Sequence, residues 1–168
     1  MVKSYITVIT LETINRGVKT AYLPARLEVV GGFNLDFLPN GSVVYVDGAH
    51  NKHGAVAIAD FLKSQKDIDG LNNYLINGRT AGSDLQGFLE SFVGVVDVVA
   101  GVRVRSEYNS EHPENIIKAA LNLEMDGFTA VDIFDAIEKI SKPNKRQVRI
   151  VICGSFYLAR DLKILLKS

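Results

Sequence analysis

Asp47, His50 and Asn51 crowd a single turn directly after the apolar run Ser42-Val-Val-Tyr-Val46. A carboxylate at the end of an apolar strand can accept bonds from paired hydroxyls, the way a Rossmann-like site holds a ribose. An imidazole three residues on, near the start of a helix, can donate to a phosphate or carboxylate. Each alone has a plainer reading: Asp47 as a cap or loop bond, His50 as a structural histidine. Together they put more polarity into one turn than a core needs, and the chemistry they suggest involves a nucleotide. Two further junctions carry unusual residues, Gly78-Arg79-Thr80 and Gly154-Ser155. Ser155 follows an apolar run and opens a helix, so its hydroxyl and the free helix amides make a cradle for a carboxylate or phosphate. The simpler alternative is an ordinary N-cap, worth about 1 kcal/mol. Gly78 permits a tight turn, and Arg79 either meets a phosphate or lies on the surface.

Other candidates are weaker. His53 and His112 lack metal-ligand spacing, and neither HExxH nor a paired-Cys motif occurs, so no metal ligands are assigned. Cys153 lies inside an apolar run and reads as an inert buried thiol rather than a nucleophile paired with His50. Asp132, Asp135 and Glu138 read as a solvated helix face. The sequence contains no GxxxxGK[ST] to hold ATP phosphates and no GxGxxG for a pyrophosphate, so this chain grips a nucleotide from one side only.

The elements that must position these residues alternate. Ile6, Ile9, Leu11 and Ile14 suggest a short helix or linker ending at Gly17, and Leu27, Val29 and Val30 a first strand after Pro24, stopping at Gly31-Gly32. A strand over 43–47 leads into a helix from Lys52 to about Ser64, with Ala55, Ile58, Ala59 and Leu62 on one face. A strand over 72–77 precedes a helix carrying Leu85, Phe88 and Phe92. Val95 to Ala100 is the next strand, and Pro113 sits in the first turn of a helix carrying Ile116, Ile117, Ala120 and Leu123. Ile133, Ala136, Ile137 and Ile140 mark another helix, followed by the basic turn Lys142 to Arg146. Val148 to Cys153 is a strand, and Phe156 to Lys167 a helix with Leu158, Leu162 and Leu165 inside. The alternation predicts an α/β, Rossmann-like, mostly parallel sheet with right-handed crossovers and helices on both faces. All the polar junctions then share one rim.

Composition sets the bounds. A chain of 168 residues with 47% hydrophobic content fills one core. Nineteen basic residues balance 19 acidic ones, so no net field favours nucleic acid or a membrane surface as partner. One cysteine precludes an intramolecular disulfide, and no apolar window reaches the roughly 18 residues of a membrane span. With no signal peptide visible in MVKSYITVITLET, the expected location is cytoplasmic.

Three motifs, in order, carry a resemblance: Leu23-Pro-Ala-Arg26-Leu-Glu28, Val46-Asp47-Gly-Ala-His50-Asn51 and Cys153-Gly-Ser155-Phe-Tyr157-Leu158. On these the chain resembles the C-terminal domain of folylpolyglutamate synthase/dihydrofolate synthase, of the Mur ligase superfamily. The resemblance implies a ligase of folate metabolism that joins L-glutamate to a folate or dihydropteroate, using ATP to make an acyl phosphate that the amine attacks. It implies an N-terminal ATPase domain of the same polypeptide supplying the P-loop and most Mg2+ ligands. The C-terminal domain closes over ATP and helps to bind glutamate. Arg26 would approach the ATP phosphates, Asp47 the ribose hydroxyls with Asn51 beside it, and His50 and Ser155 the glutamate or the reacting phosphoryl group, making Arg26 and His50 the catalytic pair. Residues 1–22 would be linker and 23–168 the domain, inactive by itself. Two departures stand out: the family commonly has Gly where this chain has Ala25, and its acidic and lysine pattern is incomplete over 78–84, so Ser83 and Asp84 receive no role. Competing readings are the matching domain of a UDP-muramoyl amino-acid ligase and a non-catalytic nucleotide or amino-acid binding module.

Overall fold

The computed structural model describes residues 25–31 and 38–166. The helix expected over 5–16, together with Leu23, Pro24 and Gly32, lies outside them. A six-stranded sheet runs β1 (Glu28–Val29), β2 (Val43–Val46), β6 (Val148–Cys153), β3 (Asn72–Asn77), β4 (Val98–Gly101) and β5 (Gly127–Thr129) in space. The pairs from β2 to β5 are all parallel. β1 departs from the parallel expectation and runs antiparallel to β2, with Glu28 opposite Val46. Parallel neighbours need a crossover, and the described residues between these two strands contain no helix to make one.

Crossover hand decides where the helices go. The chain moves in one direction across the sheet through α1 (Lys52–Asp69), α2 (Leu85–Glu90) and α3 (Pro113–Asn122), then returns through α4 (Ile133–Ser141) to β6, which inserts between β2 and β3 and feeds α5 (Phe156–Leu165). Right-handed connections made in opposite directions put their helices on opposite faces. Accordingly, Ala55, Ile58 and Leu62 of α1, Phe88 of α2 and Ile116 of α3 pack with Leu75, Val99 and Val151. On the other face Ile133, Ile137, Leu158 and Leu162 pack with Ile76, Ile150 and Ile152. Side chains alternate across a strand, so β3 and β6 serve both cores. β6 is buried along all six residues, which explains its apolar run from Ile150 to Cys153.

Boundaries shift where hydrophobic periodicity is silent. α1 runs to Asp69 rather than Ser64, ending where left-handed Gly70 donates to Lys66 O. Its last buried residue is Leu62, so the final turns have no apolar stripe to read. β4 starts at Val98 rather than Val95, because Val95 and Val96 close the turn behind α2 with bonds to Phe92 O. The three-residue β5 had no apolar run to announce it. At the amino edge, buried Arg149 pairs with Asp69 and donates to Asn73 Oδ1 at 2.9 Å, tying β6 to the α1–β3 junction.

Candidate functional site

The three polar junctions follow β2, β6 and β3, which are consecutive neighbours in the sheet. A strand order with β6 elsewhere would have separated them. Their loops also bond directly: Gly154 N donates to Ala49 O at 2.8 Å and Gly78 N to Cys153 O at 3.4 Å. Close approach requires missing side chains. A Cβ on Gly154, whose φ is +122°, would lie 2.4 Å from Asn77 Nδ2, and one on Gly48 2.6 Å from the Phe156 ring.

Asp47 is buried, and its carboxylate is the knot of the first junction. Oδ2 accepts from Leu27 N at 2.8 Å and Oδ1 from Ala49 N at 2.7 Å. Gly48 N in turn donates to Ala25 O at 2.8 Å, so the 25–27 turn is latched to the end of β2 from both sides. The turn needs the latches, because Ala25 and Leu27 hold φ of 55° and 45°, a region costly to residues with a Cβ. The strain presents Arg26, whose exposed guanidinium lies 3.9 Å from Asp47 Oδ1. Ala25 occupies a left-handed position where glycine is natural, and its buried methyl joins the core and offsets part of the cost.

His50 donates from Nδ1 to Gly48 O at 3.0 Å. A carbonyl only accepts, so Nδ1 carries the proton and Nε2 is left for a ligand, as an acceptor in the neutral ring. Asn51 caps α1, accepting from Gly54 N at 3.0 Å. Ser155 caps α5, accepting from Tyr157 N at 3.2 Å. His50 and Ser155 share a cleft of about 230 Å³, completed by Thr80, Ser83, Gly154, Phe156 and Tyr157. Binding pockets for drug-sized molecules run about 300–1,000 Å³, so this one suits an amino acid better than a whole nucleotide. Arg26, Asp47 and Asn51 do not line it; Arg26 and Asp47 form a separate pair on the β1 side of the same rim.

Arg79 is not a surface arginine. It is 1% exposed, beneath the cleft, with its guanidinium 4.7 Å from the centre of the Phe88 ring. Nε donates to Ser83 Oγ at 2.7 Å and Nη2 to His50 O at 3.3 Å. Burial lowers its pKa, opposed by the carboxylate of Asp84. Asp84 caps α2 through Gly87 N. Cys153 is fully buried, and desolvation, with the Asp47 charge second, pushes its thiol far above the usual range. It has no nucleophilic part here.

Sequence reasoning missed Asp161 and the loop it holds. Its carboxylate accepts from Arg105 N at 2.5 Å and Ser106 N at 3.1 Å, and the same loop donates Glu111 N to Arg79 O and accepts from Ala81 N at Asn109 O. The outer wall of the cleft is therefore braced from α5. A carboxylate one residue before Leu162, on the buried stripe of that helix, was the available signal.

Over residues 36–167 the chain matches the family described as dihydrofolate synthetase, C-terminal domain. It belongs to that family. A curated relative, the probable dihydrofolate synthetase of Schizosaccharomyces pombe, is 26% identical over 166 residues, covering 95% of this chain and 38% of the relative. Among solved structures, folylpolyglutamate synthase from Thermotoga maritima is 23% identical with a TM-score of 0.69, covering 96% of this chain and 35% of that one. The bifunctional folylpolyglutamate synthase/dihydrofolate synthase from Yersinia pestis, complexed with AMPPNP and Mn ion, is 18% identical with a TM-score of 0.73, covering 97% and 36%. These two likenesses establish the fold. The chain thus spans under two fifths of the length of the curated relative it matches. Among the described residues no helix is long and apolar enough to cross a membrane.

Proposed function

We propose that this chain is the part of an ATP-dependent acid–amino-acid ligase that steadies ATP and receives L-glutamate for transfer to dihydropteroate or folate. The observation carrying the reading is the adjacency of β2, β6 and β3, which sets the Arg26–Asp47 pair and the His50–Ser155 cleft on one rim. Ligands of open α/β sheets bind at the carboxyl ends of the strands.

In this reading Arg26 meets the ATP phosphates and steadies the charge that grows as the phosphoryl group moves to the substrate carboxylate. Asp47 has lone pairs beyond its two backbone bonds and takes the ribose hydroxyls. Asn51 has Oδ1 engaged by its cap, so it reaches the nucleotide through Nδ2. Ser155 and the α5 amides hold a glutamate carboxylate. The amine must shed a proton as it displaces phosphate from the acyl phosphate, and His50 Nε2 accepts it. Among the described residues no cluster of three or more His, Cys, Asp or Glu could hold a metal ion. In this reading the P-loop and most Mg2+ ligands belong on an N-terminal ATPase domain preceding residues 23–168, with residues 1–22 as the linker.

Amide-resolved NMR titration of this chain with ATP and with L-glutamate tests the reading. Weak, saturable shifts are expected at Asp47 and Gly48 for ATP and at His50 and Ser155 for glutamate. Unmoved amides at millimolar ligand overturn it. Dihydropteroate-dependent ADP release by the 168-residue chain alone would overturn the need for the ATPase domain.

A further inference from the structure

Arg79 is a buried guanidinium without an ion pair. Its Nε and Nη2 have partners, but Nη1 has none, and none of the carboxylates among the described residues forms a salt bridge with it. Burying an arginine unpaired is expensive, and a neutral residue could span the same gap more cheaply if packing were the only need. Its two bonded partners, His50 and Ser83, both line the cleft, and Ser83 Oγ passes the contact on by donating to the third, Thr80 O, at 2.7 Å. The guanidinium therefore sits directly under the cleft floor, walled from solvent by Phe88 and the 80–84 turn. A charge there is less screened than one on the surface, and its field points into a cleft of amino-acid size.

We propose that Arg79 is the charge-selecting residue of the cleft, favouring an amino acid with a side-chain carboxylate over a net-neutral one of equal size while fixing the position of His50. This deepens the proposed function and rests on its placing an acidic amino acid between His50 and Ser155. Arg79 acts through His50, Ser83 and its field, so it is a positioning and specificity residue rather than a catalytic one.

The test is an NMR titration of this chain, wild type and variants, with L-glutamate and with L-glutamine, which differs from it only by an amide in place of the side-chain carboxylate. Wild type is expected to prefer the dicarboxylate by on the order of tenfold, the weight of one poorly screened charge. Arg79→Met should abolish the preference by lowering L-glutamate affinity more than L-glutamine affinity, and Arg79→Lys should restore most of it. A merely structural arginine would weaken both ligands together. Retention of the preference in Arg79→Met, with glutamate still shifting His50 and Ser155, overturns this inference and leaves the proposed function standing. Glutamate that moves neither residue in the wild type overturns both. Should Arg79→Met unfold on a thermal melt, Arg79→Gln supplies the neutral arm. A wild-type preference below twofold overturns the inference without any variant.

Discussion

Each oxygen of the Asp47 carboxylate holds one backbone N–H, Leu27 on one side and Ala49 on the other. The ligand-facing role proposed for this residue thus sits on top of a structural one, and the two can be separated. Asp47→Asn keeps one acceptor but turns an NH2 group towards the second N–H, leaving a buried donor unpaired. A loss of about 1–3 kcal/mol is expected in urea unfolding. Faster amide exchange at Leu27 or Ala49, confined to one of the two, would identify which bond is lost. Arg26 itself should be dispensable for stability, because its guanidinium is exposed and stands 3.9 Å from Asp47.

Helix α5 does more than cover the sheet. Through Asp161 it anchors the 105–106 backbone, and through that loop the far wall of the cleft. Asp161→Ala is expected to raise amide exchange at Arg105 and Ser106 by an order of magnitude or more, at a cost of about 1–3 kcal/mol. Leu158 and Leu162 should keep α5 docked, so its own amides stay protected. At α4 the electrostatics have a definite sign. A bond from Lys139, and next one from Val131 N, hold the Asp135 carboxyl below its ordinary value of 3.8. A lowered folded pKa means the stabilisation is complete above the ordinary value and is lost as pH falls through the lowered one. Wild type should therefore lose urea midpoint below about pH 4 more steeply than Asp135→Asn, most clearly at low salt. Equal slopes would show that the Lys139 contact adds nothing.

Covering the sheet on both faces has a consequence for the whole molecule. Cys153 ends the central strand and is shielded by α1, α2 and the β2 loop, so burial keeps it protonated. Native protein at pH 8 should resist iodoacetamide for hours and label fully in denaturant. Rapid native labelling would mean that the rim opens. The same central position makes β6 a shared wall of both cores: Ile150 faces α4 and α5, Val151 faces α1 to α3. Any substitution along it is felt by both.

Sequence alone determined most of the elements and the polar residue types at their ends. Helix stripes such as Ala55, Ile58, Ala59 and Leu62, and apolar runs such as Val148 to Cys153, are local patterns written into neighbouring residues. So are a carboxylate closing a strand and a serine opening a helix. Where the pattern fades, in the polar last turns of α1 or the three residues of β5, the reading stopped short. Tertiary structure decided what local patterns do not encode. Strand order is set by long-range pairing, and only the insertion of β6 between β2 and β3 puts Asp47, Ser155 and Arg79 on adjoining strand ends. Burial is likewise a property of neighbours distant in sequence. Arg79 reads in the chain as a plain turn residue after a glycine; only the folded molecule places Phe88, Ser83 and the His50 carbonyl around it.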